Sequence, residues 1–575
     1  MGTGRSFQRP SSRLRVLAFW AAIALCTLYL LHPGFGSDSS VFVGHHNTPP
    51  LGHPHAAKPR PRPVQFDFRR YHGGKAGAGN KERADAVRQV MKRTFWKYRK
   101  AAWGMDEVRP VTGGNRTSRN GWAATLVDTL TTTLMMGLEE EFMLALNYSI
   151  HELDFSKAED LVDPFETTIR YLGSLVSTVD LLDAGFTNFS RPVEKKDRDA
   201  LLAQALFLAD KLAPGFDTPT GMIWPRINFT SGVGCREEEK DRPYPHFEHA
   251  TIGPARAGSN WLENMALSRL SGLKIYGENA TKAWKPLVYT KWVEEWPGLI
   301  DGPWDIMTGT PFDHHRSWGA GHDSYYEYLI KAHIMIPSDP HSGKYRDRWL
   351  QAVKSTREHL IFQGRSVDGD TEAHHWLHQW RNGWLINEMG HLACFTGGNW
   401  MLGGAYLADS SIVSMGAELV KACRAVYAAT ETSIGPEYWQ WIPADRDGAY
   451  APQSEGQEQQ LQELGWWITD ARYMLRPETV ESYFYAYRIT GDKKYQDWAW
   501  EAFVAYVKAT KAPFGYAEVR DVTMPPGEDN REDLAESFWG AETLKYLWLA
   551  FCDEDVANLD EWVFSTEAHP FRIQP

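Results

Sequence analysis

The sequence predicts an all-α fold, a toroid built from repeated helical hairpins. Three observations carry this. Segments with apolar residues at helical spacing recur from about Glu82 onward, joined by Gly-, Pro- and Asp-rich turns. Strand-like alternation is scarce. One pattern occurs twice: LENMALSRLSG ends at Gly272 and VESYFYAYRITG at Gly491, each an amphipathic helix closed by Arg, an aliphatic residue, Ser or Thr, then Gly. Glycine just past a helix accepts the left-handed cap. Each copy is followed by another helix-like segment, which makes a hairpin. Periodicity leaves the number of hairpins open.

In chain order, Val16 to Leu31 is an uncharged, mostly apolar run preceded by Arg5, Arg9, Arg13 and Arg15. Basic residues before such a run place the N-terminus on the cytoplasmic side. Continued through His32 to Phe35, it reaches the length a bilayer needs. A cleaved signal peptide is the rival reading, but no small-x-small pattern closely follows. Residues 1–15 therefore read as a cytoplasmic tail and 16–35 as a signal-anchor. Residues 36–82 read as a flexible Pro-rich stem, and 83–575 as the globular helical domain. Within that domain, Leu201–Leu212, Tyr325–Met335 and Thr479–Thr490 read as helices.

A net charge of −12 argues against nucleic acid, which needs a basic face, and leaves carboxyls free for acid/base work. The 25 Trp and 24 Tyr serve a core, and such rings also stack on sugars. Five cysteines are too few for a disulfide scaffold and allow one pair in an oxidising compartment. Sequons at Asn115, Asn147, Asn188, Asn228 and Asn279 agree with luminal exposure.

Acidic residues cluster at apparent helix starts. PFETTIR puts Glu166 just inside a first turn opened by Pro164, with Arg170 one turn later. LRPETVES puts Glu478 and Glu481 on one face after Pro477, and GHDSYYEYLIK puts Asp323 at a start with Glu327 one turn on. Taken singly, each is an ordinary cap. Taken together they offer what glycoside hydrolysis needs: one protonated carboxyl to donate and one ionised carboxylate to attack or activate water. A general acid at a helix start needs burial or a nearby anion to keep its proton. His374 and His378 lie one turn apart, like a metal pair, but no third ligand follows at metal spacing. They read as surface or loop histidines, as do His246 and His249. There is no phosphate loop, G-x-S-x-G elbow or CxxC pair.

Ordered along the chain stand AAWGMDEVRP, LVDTLTTTLMMGL, FETTIRYLG, FDTPTG, LENMALSRLSG, DSYYEYLIK, GHLACF, GPE ending at Glu437, LRPETVESYFYAYRITGD, ESFWGAETLKYLWLAF and VFSTEAHPF. With these motifs the chain resembles the class I α-1,2-mannosidases, glycoside hydrolase family 47, over about residues 84–573. The resemblance implies an (α/α)7 barrel plugged at one end by a hairpin, with Ca²⁺ at its core. It also implies inversion by a water nucleophile. Glu166 matches the proposed general acid, acting through water, Asp323 a second candidate acid, and Glu478 the general base. Arg170, Glu263, Glu327, His391, Glu437, Arg476, Glu481, Phe538, Glu542 and Glu567 match residues on the substrate side of the site. Thr566 matches the one direct protein ligand of Ca²⁺, through hydroxyl and carbonyl, leaving positions for water and sugar hydroxyls. Cys394 and Cys423 match the family disulfide, which leaves the state of Cys235 and Cys552 open.

Two positions depart from the family pattern. Gly390 stands where an Asp usually precedes the HLxCF motif, and Thr131 replaces the second Asp of DxLDTL. Gly321 is small where members that remove a single mannose carry Arg, which favours Golgi-type trimming of several mannoses. The implied function is an inverting, Ca²⁺-dependent exo-α-1,2-mannosidase acting on high-mannose N-glycans. It would be a type II protein of the Golgi or endoplasmic reticulum membrane with a monomeric luminal catalytic domain. Two alternatives are a lectin-like quality-control factor with weak catalysis, and an α/α-barrel glycosidase for another sugar.

Overall fold

Helices alternate between an inner and an outer position along the chain, and the computed structural model describes them through residues 63–71, 79–186, 189–236, 250–365 and 373–574. The predicted tail, anchor and first part of the stem, together with Asn188, His246 and His249, lie outside the described residues. Fourteen of the helices among the described residues build the barrel. They are α1 (Lys81–Ala102), α2 (Leu130–Met135), α3 (Glu139–His151), α4 (Gly173–Asp183), α5 (Lys195–Leu212), α6 (Trp261–Ser271) and α7 (Ile275–Val288). They continue as α8 (Asp323–Met335), α9 (Ser342–His359), α10 (Phe395–Tyr406), α11 (Ser410–Ala429), α12 (Glu478–Thr490), α13 (Lys494–Thr510) and α14 (Leu544–Phe551).

Consecutive helices pack as hairpins: α2 with α3, α4 with α5, α6 with α7, α8 with α9, α10 with α11 and α12 with α13. The seventh pair joins the two ends of the domain, α14 with α1. The even-numbered helices touch in order around a ring, and the segment entering α14 meets α2 to close it. These are seven α/α hairpins in a closed barrel. Inner helices are buried nearly all round; every residue of α12 from Glu478 to Arg488 is buried. The outer α5 buries one stripe, Leu201, Ala205, Leu208, Ala209 and Leu212, as a helix with one wet face does. The repeated Gly ending holds: Gly272 and Gly491 cap α6 and α12 at φ +76° and +70°.

Short strands, which the scarce alternation did not predict, fill the connections. A five-stranded antiparallel sheet runs β5-β4-β3-β2-β1, formed by β1 (Thr251–Ile252), β2 (Gly302–Asp305), β3 (Thr310–Arg316), β4 (Gln379–Arg381) and β5 (Trp384–Ile386). Beside it, β6 (Glu388–Gly390), β7 (Tyr438–Trp441) and β8 (Trp466–Asp470) make a three-stranded sheet. Most are too short for a period of two to show in sequence. The last hairpin, β9 (Trp562–Phe564) and β10 (Pro570–Arg572), packs against the inner helices α4, α6 and α8, so it lies within the ring.

Two expectations need correction. Residues 63–71, read as flexible stem, are packed on the barrel. Val64 and Phe68 are buried, Phe66 N–H donates to the Arg488 carbonyl at 2.8 Å, and Gln65 Nε2 donates to the Glu554 carbonyl at 2.7 Å. The apolar residues Val64, Phe66 and Phe68 are what set this stretch apart from the Pro-rich segment before it. His378, read as a surface or loop residue, is buried, and its Nε2 accepts from Trp441 Nε1 at 3.1 Å. Among the described residues, no three His, Cys, Asp or Glu side chains converge as a direct metal cage, and no helix is long and apolar enough to cross a membrane.

Candidate active site

The inner helices start at one end of the barrel, and nearly every start carries a predicted site residue. Asp323 and Glu478 are the first residues of α8 and α12, and Glu263 is the third of α6. Glu166 precedes α4 through a π-helical turn, Thr167–Leu172. Glu542 lies in a second π-helical turn, Trp539–Thr543, that enters α14. His391 lies just ahead of α10, and Asp128 just ahead of α2. Single π turns recur at functional sites; here one of them carries Arg170.

Arg170 is the hub of one side. Its Nε bonds Glu166 at 2.8 Å, and its Nη1 bonds Glu567, lies 3.2 Å from Ser537 Oγ and 3.5 Å from Asp128. Its guanidinium stands 5.4 Å from the Phe538 ring centre, and Arg476 stands over the same ring at 6.0 Å. Arg476 in turn grips Glu437, with Nε 2.8 and 2.9 Å from the two carboxylate oxygens. Glu478 accepts from His391 Nδ1 at 2.7 Å, and His391 Nε2 meets Tyr427 Oη at 2.6 Å. Tyr328 Oη donates to Glu263 at 2.5 Å and accepts from the Thr566 N–H at 3.3 Å. Lys331 bonds Glu327 and lies 3.9 Å from Glu481. These groups lie within electrostatic range of one another: Asp323 feels Glu327, Glu478 and Arg476, and Glu542 feels Glu478, Glu481, Glu567 and Arg170.

Charge states differ within it. Burial pushes the Glu166 carboxyl up, but Arg170 and Arg119, the latter 3.1 Å away, outweigh it and hold the group down at about 2. Burial raises Asp323 to about 7, and Glu327 and Glu478 add to this against the Ser324 backbone N–H and Arg476. For Glu478 burial is outweighed by His391 and Arg476, and the carboxyl stays below its ordinary range. Burial and mutual repulsion push Glu481 and Glu542 well up, and burial raises Glu263 to about 8. The site thus holds protonated carboxyls, Asp323, Glu263, Glu481 and Glu542 among them, beside the ionised Glu166 and Glu478, and acid/base hydrolysis uses one of each kind.

At the first of the two departures, the Thr131 hydroxyl meets His569 Nδ1 at 3.1 Å, while His569 Nε2 lies 3.3 Å from Asp128 without hydrogen-bond geometry. At Gly390, the ring of Tyr438 takes the space a side chain would fill. Cys394 and Cys423 form the expected disulfide, and Cys235 and Cys552 are buried outside it. Asn115 and Asn147 are exposed, while Asn228 and Asn279 are half-buried.

Sequence reasoning missed Arg119, Asp128, Tyr328, Lys331 and Ser537 as site components. Lys331 had a signal, since it lies four residues after Glu327 on one helix. Arg119 reaches the site from a loop, and no spacing marks it.

The profile of Glycosyl hydrolase family 47 matches residues 90–573. The probable mannosyl-oligosaccharide alpha-1,2-mannosidase 1B of Aspergillus clavatus is 38% identical over 507 residues, covering 85% of this chain and 93% of that protein. The mannosyl-oligosaccharide alpha-1,2-mannosidase of Coccidioides posadasii is 38% identical over 502 residues, covering 86% and 91%. Among solved structures, the alpha-1,2-mannosidase from Trichoderma reesei superposes with a TM-score of 0.79 at 34% identity, covering 87% of this chain and 100% of that one.

Proposed function

The chain belongs to glycosyl hydrolase family 47, and from that premise we propose that it is an inverting exo-α-1,2-mannosidase trimming high-mannose N-glycans. The observation that carries this reading is the division of charge between Asp323 and Glu478 at one mouth of the barrel. Asp323 is half-buried at the entrance and holds a proton near neutral pH, so it gives that proton to the departing glycosidic oxygen. Glu478 is ionised and oriented by His391, so it takes the proton of the attacking water. Glu166 remains an anion between two guanidiniums; it orders Arg170 and Arg119 and can hold a water at the mouth. The lectin-like alternative has no use for a carboxyl pair in opposite protonation states.

The residues fit a Ca²⁺ at Thr566. Neither the hydroxyl nor the carbonyl of Thr566 is taken by a protein group among the described residues, and Glu263 Oε2 is buried without a hydrogen-bond partner there. Glu567 adjoins Thr566 and Glu263 is joined to it through Tyr328; burial and neighbouring anions push these two carboxyls, and Glu481 and Glu542, upward, so a cation bound at the turn would favour their ionised forms. Thr566 would hold the ion directly, and the carboxylates would hold its waters. Bound there, Ca²⁺ would supply orientation of the terminal sugar's hydroxyls and of the hydrolytic water.

Gly321 is exposed two residues before Asp323, and a side-chain carbon added there meets nothing within 4 Å. An entrance open at this point supports removal of several mannoses. The disulfide and the exposed sequons support a luminal catalytic domain behind an N-terminal anchor.

The test is incubation of the full chain with a nine-mannose glycan, with and without EDTA. The reading expects release of α-1,2-linked mannose, abolished by chelation and restored by Ca²⁺. Thr566→Ala should lower both Ca²⁺ affinity and the melting-temperature gain from Ca²⁺. An unchanged Ca²⁺ requirement in that variant would overturn the metal assignment.

A further inference from the structure

Gly390 has no backbone reason to be glycine. Its φ of −100° is an extended conformation open to any residue. The reason lies across the sheet. Gly390 pairs directly with Tyr438 on β7, and a side-chain carbon added at 390 would lie 2.8 Å from Tyr438 Cε1 and 3.2 Å from Cζ. The glycine therefore makes room for an aromatic ring.

That ring is placed as a sugar-facing surface is placed. Trp439 and Met389, the next pair along the ladder, are both buried, whereas Tyr438, at a register irregularity, is only half-buried. Its hydroxyl bonds no group among the described residues. Glu437, the preceding residue, is clamped by Arg476. Burial raises the Tyr438 phenol, the carboxyls of Glu437, Glu388 and Asp323 raise it further, and Arg476 opposes them, so these groups all lie within electrostatic range. An apolar ring face flanked by charged hydrogen-bonding groups suits a pyranose, which offers a C–H face to stack and hydroxyls to bond.

We propose that Tyr438, seated over Gly390, is a specificity-determining residue that stacks on the mannose next to the cleaved linkage. The proposal rests on the mannosidase reading and goes beyond it, assigning one binding contact to one ring.

The experiment uses the full chain and an α-1,2-linked manno-oligosaccharide. Tyr438→Ala should raise KM about tenfold and leave kcat within about threefold, since a stacking contact made equally in ground and transition states appears in KM. Tyr438→Phe, which keeps the ring, should restore KM. Gly390→Ala should raise KM by displacing the ring, and should add nothing further in the Tyr438→Ala background. Melting temperatures are recorded alongside, because a merely structural ring would change stability without a selective rise in KM. An unchanged KM in well-folded Tyr438→Ala overturns the proposal, as does an additive Gly390→Ala effect. If the wild type releases no mannose, the mannosidase reading fails instead. Calorimetric titration with α-1,2-mannobiose then decides for Tyr438: weaker binding by Tyr438→Ala supports the contact, and equal binding removes it.

Discussion

Glu166 and Asp323 hold the same place in the fold, each at the start of an inner helix, yet one is an anion and the other an acid. Position alone would lower both, because a helix start favours negative charge. The neighbours decide. Glu166 is ion-paired with two guanidiniums, whereas Asp323 has Glu327 and Glu478 against Arg476, with which it forms no ion pair. A carboxylate at a helix start is therefore no guide to its protonation state until its partners, drawn from other parts of the chain, are known.

Changes on each side should break this contrast in different ways. The largest effect is expected at Glu478→Gln, which removes the base shared by both readings of the acid. Turnover should fall about 10³- to 10⁴-fold while glycan binding survives, measured by single-turnover kinetics and by calorimetry. Near-normal turnover would remove Glu478 from the chemistry. Glu166→Gln should cost less, about 10- to 100-fold, because it unpairs Arg170 and Arg119 without removing the proton donor. Its pH profile should keep the shape of the wild type.

The smallest effect is expected at Arg119→Met, which should change turnover less than about tenfold but alter acid stability. The sign follows from linkage. A carboxyl depressed to about 2 contributes stability that is full above its ordinary range and lost as pH falls toward 2. With one guanidinium gone that contribution shrinks, so the melting-temperature gap between wild type and variant should narrow as pH falls. A gap independent of pH would mean that Arg119 acts through packing alone.

Much of this architecture could be read from the chain, and the remainder fails to show for definite reasons. Helical spacing and the glycines at 272 and 491 mark hairpins, because both signals are local. The count of seven does not show, because it depends on α1 meeting α14 across the whole domain. Glu166, Asp323 and Glu478 are legible as carboxylates at helix starts. Arg119, which fixes the charge of Glu166, comes from a loop and carries no periodic mark. Tyr438 and Gly390 are paired by strands of three and four residues, too short to read as strands. The packed segment at 63–71 did carry a signal, the apolar Val64, Phe66 and Phe68, set against the composition of the stretch before it.

The central claim, that Asp323 is the proton donor, is tested most directly by the pH dependence of kcat/KM for mannose release in wild type, Asp323→Asn and Glu166→Gln. Asp323 is protonated below about 7 and loses its proton above it, so wild-type activity should decline as pH rises through that value. The account predicts that this decline disappears in the much weaker Asp323→Asn and persists in Glu166→Gln. A decline that persists in Asp323→Asn and vanishes in Glu166→Gln would contradict it.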